Sequence, residues 1–172
     1  MPKIIKNGVI VDDAWQVLTL TEGQAPETVE LPDAPTLLPL AVWQARKDAI
    51  LARKTAFGIW LESSEGPESI AGDLDQLTLI GVNFPKFTDG RGYSTARLLR
   101  ERYGYRGEIR AIGDVLHDQL FLLRRCGFDA FAVRADKDIH AALAGLQDFS
   151  DSYQAAVDQP QPLFQRRATR AA

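Results

Sequence analysis

Between positions 56 and 133, short apolar runs alternate with stretches of helical periodicity, and this alternation constrains the fold more than any other feature. The pattern predicts strands at Ala56–Leu61, Leu77–Val82, Glu108–Ile112 and Phe128–Val133. Between them it predicts a helix capped by Ser94 or Thr95 that stops at Gly104, and another from Asp114 through Cys126. Strands joined by helices need right-handed crossovers, which lay the strands side by side and parallel. Phe128–Val133 is apolar almost throughout, as a strand must be when both sheet faces are covered. Gly127 is placed to take a left-handed stop, with Phe128 folding back on Leu123. The expected fold class is α/β, with a parallel sheet of about four strands and βαβ crossovers, either a half-barrel or an open wound sheet.

The flanks read differently. In Ile4–Val11 an Asn7-Gly8 pair sits between β-branched residues, the chemistry of a tight hairpin turn. Trp15–Leu20 can add a short strand. Pro26, Pro32, Pro35 and Pro39 then resist regular structure, and Pro39 suits the first turn of a helix carrying Leu40, Trp43, Ile50 and Leu51 on one face. A further helix is expected at Ile139–Leu146. Three units follow: an N-terminal β-hairpin lobe and Pro-rich linker (1–38), an α/β body (39–149) and a flexible C-terminal tail (150–172). A four-stranded parallel sheet leaves edges that the hairpin or a second copy of the chain must cover.

Composition narrows the chemistry. A net charge of −3 and a pI near 5.4 argue against a nucleic-acid binder. The charge is uneven, acidic over residues 1–86 and basic over 87–172, which points to a local anion site or an acidic partner. A single cysteine, Cys126, rules out an internal disulfide or a Cys-ligated cluster, and it reads as a half-buried apolar filler. The two histidines, His117 and His140, have no ligand partners at metal spacing. No apolar run approaches the roughly 20 residues of a membrane span, and the N-terminus lacks a signal-peptide pattern. A cytoplasmic protein without bound metal or cofactor is expected.

In parallel α/β folds, ligands settle beyond the carboxyl ends of the strands. That rule selects Asn83, Lys86, Asp114, Arg134 and Asp136, and the loop after the second body strand adds Thr88, Asp89, Arg91 and Tyr93. Lys86, Asp89 and Asp114 are the candidates for acid–base work, and Asn83, Arg91 and Arg134 for gripping an anion. Asp114 also fits a helix cap, Arg134 and Asp136 also fit solvated charges, and Gly90-Arg91-Gly92 fits a turn better than a phosphate loop. Arg97, Arg100, Arg106 and Arg110 form either a stripe that steers an acidic partner or an ordinary solvated face. Leu163, Phe164, Arg166 and Arg167 fit a docking peptide, or a tail without function.

The stretches Asn83–Ser94 (NFPKFTDGRGYS), Gly107–Leu116 (GEIRAIGDVL) and Arg125–Phe131 (RCGFDAF) resemble an uncharacterised bacterial family. Its members occur in proteobacteria, typically encoded beside the assimilatory sulfite reductase hemoprotein, and often carry the label of oxidoreductases of sulfite reduction. The resemblance covers nearly the whole chain, including Leu163-Phe164. It implies a place in sulfite reduction to sulfide for cysteine biosynthesis. The residues show no dinucleotide fingerprint, flavin motif or cluster ligands, so the expected role is an accessory protein docking the sulfite reductase hemoprotein or a ferredoxin-like donor. The alternative is a small enzyme acting on an anionic sulfur compound or phosphate ester in the strand-end crevice.

Overall fold

The computed structural model describes residues 2–170. They form eight strands, β1 (Lys3–Lys6), β2 (Val9–Asp12), β3 (Gln16–Val17), β4 (Thr36–Pro39), β5 (Phe57–Leu61), β6 (Leu79–Phe84), β7 (Glu108–Gly113) and β8 (Ala130–Phe131). The helices are α1 (Leu40–Leu51), α2 (Arg91–Glu101), α3 (Leu120–Arg125), α4 (Ile139–Ala144) and α5 (Leu163–Arg170). All eight strands join one sheet in the order β2-β1-β8-β7-β6-β5-β4-β3. From β3 to β8 each strand pairs in parallel with the next in sequence. That consecutive order is the winding of a barrel, and the sheet is a curled half-barrel.

The expected sheet of about four strands is therefore too small. The four strands read from the apolar runs are present as β5 to β8. Thr36–Pro39 adds a fifth body strand, buried along its whole length, where prolines on both sides had mimicked a linker. Pro39 closes this strand instead of opening the helix, which starts at Leu40.

Nor does the hairpin form a lobe apart. Asn7 (φ 50°) and Gly8 (φ 78°) make the two-residue turn that the Asn-Gly pair predicts, with Lys6 opposite Val9. Strand β1 then pairs antiparallel with β8, and the Asn7 N–H donates to the Asp129 carbonyl. The hairpin covers the edge that β8 would otherwise expose.

Strands β2 and β3 lie at opposite edges of the sheet, yet only Asp13, Ala14 and Trp15 separate them in sequence. Four Cα steps reach at most about 14 Å. A flat sheet of eight strands would hold its edges about 34 Å apart, at ~4.8 Å per strand. The sheet must curl to bring them within reach, and residues 13–15 form a strap across its concave side.

Alternation along the strands sorts the core into two clusters. On the convex face, Ile59, Ile80, Val82, Phe84, Ile109, Ala111 and Phe131 pack against α1 to α4. On the concave face, Leu37, Trp60, Leu79 and Ile112 form a second cluster against which Trp15 of the strap packs.

The C-terminal segment is laid down by named contacts, unlike the flexible tail expected. Arg125 donates to Ser152 Oγ and to the Gln154 carbonyl, and Arg166 of α5 donates to Asp151 and the Ser152 carbonyl. Among the described residues no helix is long and apolar enough to cross a membrane.

Candidate functional site

The carboxyl ends of β5 to β8 gather most of the residues that the strand-end rule selects. Asn83, near the end of β6, donates from Nδ2 to Glu62 Oε2 at 2.8 Å, just beyond β5. Asp114 follows Gly113 at the end of β7. It is not a helix cap, because α3 begins only at Leu120 after a 3-10 turn at His117–Gln119. Its carboxylate instead accepts from the Phe87 N–H at 2.8 Å and from Arg134 Nη1 at 2.6 Å. Asp114 thus pins the loop after β6 to the segment after β8.

Arg134 is engaged on its other side as well, donating from Nε (2.6 Å) and Nη2 (3.1 Å) to the two oxygens of Asp136. The paired guanidinium holds the Asp136 carboxyl down to about 2, and the two carboxylates raise Arg134 above its ordinary value. Nearby, Arg91 makes the same bidentate grip on Asp89 (3.0 and 2.7 Å) and reaches Ser63 Oγ at 2.8 Å. That grip holds the Asp89 carboxyl well below its usual range. Lys86 and Thr88 are exposed on the loop between these two networks.

The selected side chains thus lie at the strand ends, where their charges meet one another. Each arginine there already carries a carboxylate in fork geometry. Neither Ser94 nor Thr95 caps α2, which starts at Arg91 and so contains both, and Tyr93 packs edge-on against the Phe84 ring. Three residues of this region were missed in the sequence. Glu62 follows Leu61, where the predicted strand and β5 both end, so the strand-end rule applied to this strand would have selected it. Ser63 and Gln119 have no local signal. Gln119 is buried and donates toward the Phe87 carbonyl, so its role depends on the tertiary path of the loop.

The four arginines of the supposed stripe separate into three environments. Arg97 is exposed and pairs with Glu101 one turn along α2 at 2.9 Å. Arg106 is exposed. Arg100 is an internal clamp: it donates to the carbonyls of Gly127 (3.0 Å), Tyr105 (2.8 Å) and Gly107 (2.8 Å) and pairs with Asp129. Arg110, on β7, points into the concave face with only 3% of its side chain exposed, held by Asp13 and Glu108. Neither Arg100 nor Arg110 is available to a partner, because equal spacing in sequence does not fix where a long side chain ends.

On α5, Phe164 is 59% exposed, Arg167 is exposed, Leu163 is half-buried, and Arg166 is held by Asp151. The aromatic rings of Phe149 and Tyr153, in the segment leading to α5, are also largely exposed.

Cys126 ends α3, where burial pushes its thiol up against the opposite pull of Arg97 and Arg125. Near neutral pH, iodoacetamide should modify the folded chain at least about tenfold more slowly than the urea-unfolded chain. Equal rates would mark a reactive thiol. Among the described residues no three His, Cys, Asp or Glu side chains converge as metal ligands would.

No curated protein matches the chain. The family model described as a bacterial protein of unknown function (DUF934) matches residues 58–164, from β5 to the start of α5, a span that includes Glu62, Asn83, Asp114 and Arg134. With more than half of its length matched, the chain belongs to this family.

Proposed function

We propose that the protein is an accessory component of assimilatory sulfite reduction, docking the sulfite reductase hemoprotein or the acidic ferredoxin-like donor that feeds it. The pathway comes from the resemblance carried by Asn83–Ser94, Gly107–Leu116 and Arg125–Phe131. The observation that carries the docking role is α5. This helix has three arginines and no acidic residue, and it turns Phe164 outward beside Arg167. An aromatic anchor beside an exposed guanidinium suits an acidic partner surface: the ring supplies contact area and the cation supplies steering. The mutual pairing of Asp114, Arg134, Asp136, Asp89 and Arg91 supports the same reading, since few charges at the strand ends remain for a small anion.

The test is capture of the hemoprotein or its donor from the native extract on the immobilised full chain, across a salt series. Recovery should fall steeply with salt, and the Phe164→Ala/Arg167→Glu variant should lose at least about tenfold in affinity. Both residues are exposed, so the fold should survive. Recovery that ignores both salt and the double substitution would sink the proposal.

A further inference from the structure

On the convex side, away from the strand-end crevice, the hairpin turn, α3 and α4 enclose a cleft of about 700 Å³. That volume falls in the range of small-molecule sites, about 300–1,000 Å³. Its floor is apolar: Phe128, Phe131 and Leu146 come from the core, and Leu143 of α4 is part-buried beside them. Arg124 of α3 stands on its wall.

The electrostatics of the wall are unusual for this molecule. Arg124 Nε is buried and has no hydrogen-bond partner among the described residues. The nearest carboxylate, Asp158, lies 4.0 Å from it and is taken by Arg125 at 3.3 Å. Asp129, the carboxylate lining the cleft itself, is taken by Arg100 and accepts from the Ile109 N–H. The ring of Phe121 lies 5.6 Å from the Arg124 guanidinium but offers no lone pair. Arg124 thus keeps 36% of its side chain exposed on the wall beside the apolar floor, while its Nε is buried without a hydrogen-bond partner among the described residues.

We propose that this cleft binds a small amphiphilic monoanion, a carboxylate carried on an apolar chain or ring. The apolar body would lie over Phe128, Phe131 and Leu143. The carboxylate would accept from Arg124, whose planar fork fits it. A single negative charge is favoured because Asp129 and Asp158 stand close by and would repel the second charge of a phosphate monoester.

The experiment is calorimetric titration of the full chain with decanoate below its micellar concentration, and with decanol as the uncharged control. The wild type should bind decanoate saturably at one site. Arg124→Gln should weaken decanoate about tenfold or more and leave decanol within about twofold, the loss of one charge-assisted contact. Ala144→Trp, at an exposed position on the wall, should block both ligands without disturbing the fold. If Arg124→Gln melts early, Ala144→Trp decides alone. Absence of saturable decanoate binding, or binding that Ala144→Trp leaves unchanged, overturns the proposal. Undiminished decanoate binding in a folded Arg124→Gln chain overturns it too.

Discussion

Replacing Asp13 with alanine should lower the unfolding free energy by about 3–5 kcal/mol in urea titrations, because it strands a buried charge. Arg110 has 3% of its side chain exposed and Asp13 only 11%. Arg110 Nη1 donates to both Asp13 oxygens at 3.1 Å, while its other nitrogens reach Glu108 at 2.8 Å. Without Asp13, the guanidinium keeps only Glu108, which Lys6 already shares at 2.6 Å. The double variant Asp13→Ala/Arg110→Met should recover most of the loss, since a buried pair exchanged for apolar bulk is close to neutral. A single variant within about 1 kcal/mol of wild type would mean that water reaches Arg110.

Gly113→Ala should cost about 3 kcal/mol or more, well beyond a left-handed glycine in open space. Gly113 has φ +91°, and a Cβ there would sit 2.4 Å from the Phe84 carbonyl oxygen and 2.5 Å from Asn83 Oδ1. The first is backbone of the neighbouring strand, so β6 and β7 would have to part where Asn83 holds Glu62 and Asp114 holds the loop. Gly104, with φ +66° and nothing within 4 Å of its missing Cβ, is the control. Gly104→Ala should cost only about 1–2 kcal/mol. Denaturation midpoints that fall together for the two variants would refute the steric argument.

The parts of the fold legible in the sequence are those whose signals are local. The Asn7-Gly8 turn needs two positive φ angles and two adjacent residues that tolerate them. The stop after α3 likewise closes on itself: the Gly127 N–H donates to the Arg124 carbonyl, and the Phe128 N–H to that of Leu123. Strand β4 was illegible because Pro35 and Pro39 mark breaks in any local reading, although the strand between them is covered on both faces. The strap was illegible for another reason: only the global order of strands shows that residues 13–15 bridge two edges.

The candidate site divides in the same way. Strand ends placed Asn83, Asp114 and Arg134 together, because that rule depends on topology and not on partners. What each side chain does there depends on groups far along the chain. Asp114 was readable as a cap from its neighbours, but its carboxylate serves Phe87 and Arg134. Arg100 was readable as surface from its helical spacing, but its guanidinium is used up on carbonyls of the turns after α2 and α3.

The pairing of the hairpin with β8 has a consequence for how the molecule is made. Ile5 lies opposite Phe131, so β1 pairs with a strand that is synthesised long after it. Until β8 emerges, β1 and β2 form an isolated two-stranded ribbon, which is at best marginally stable in water. β3 meanwhile has β4 as its neighbour as soon as residue 39 is made. The strap therefore joins one edge strand whose neighbour is made early to a hairpin whose neighbour is made late. The β1–β8 pairing joins residues far apart in sequence, so it carries a loop-closure cost that the local βα units do not.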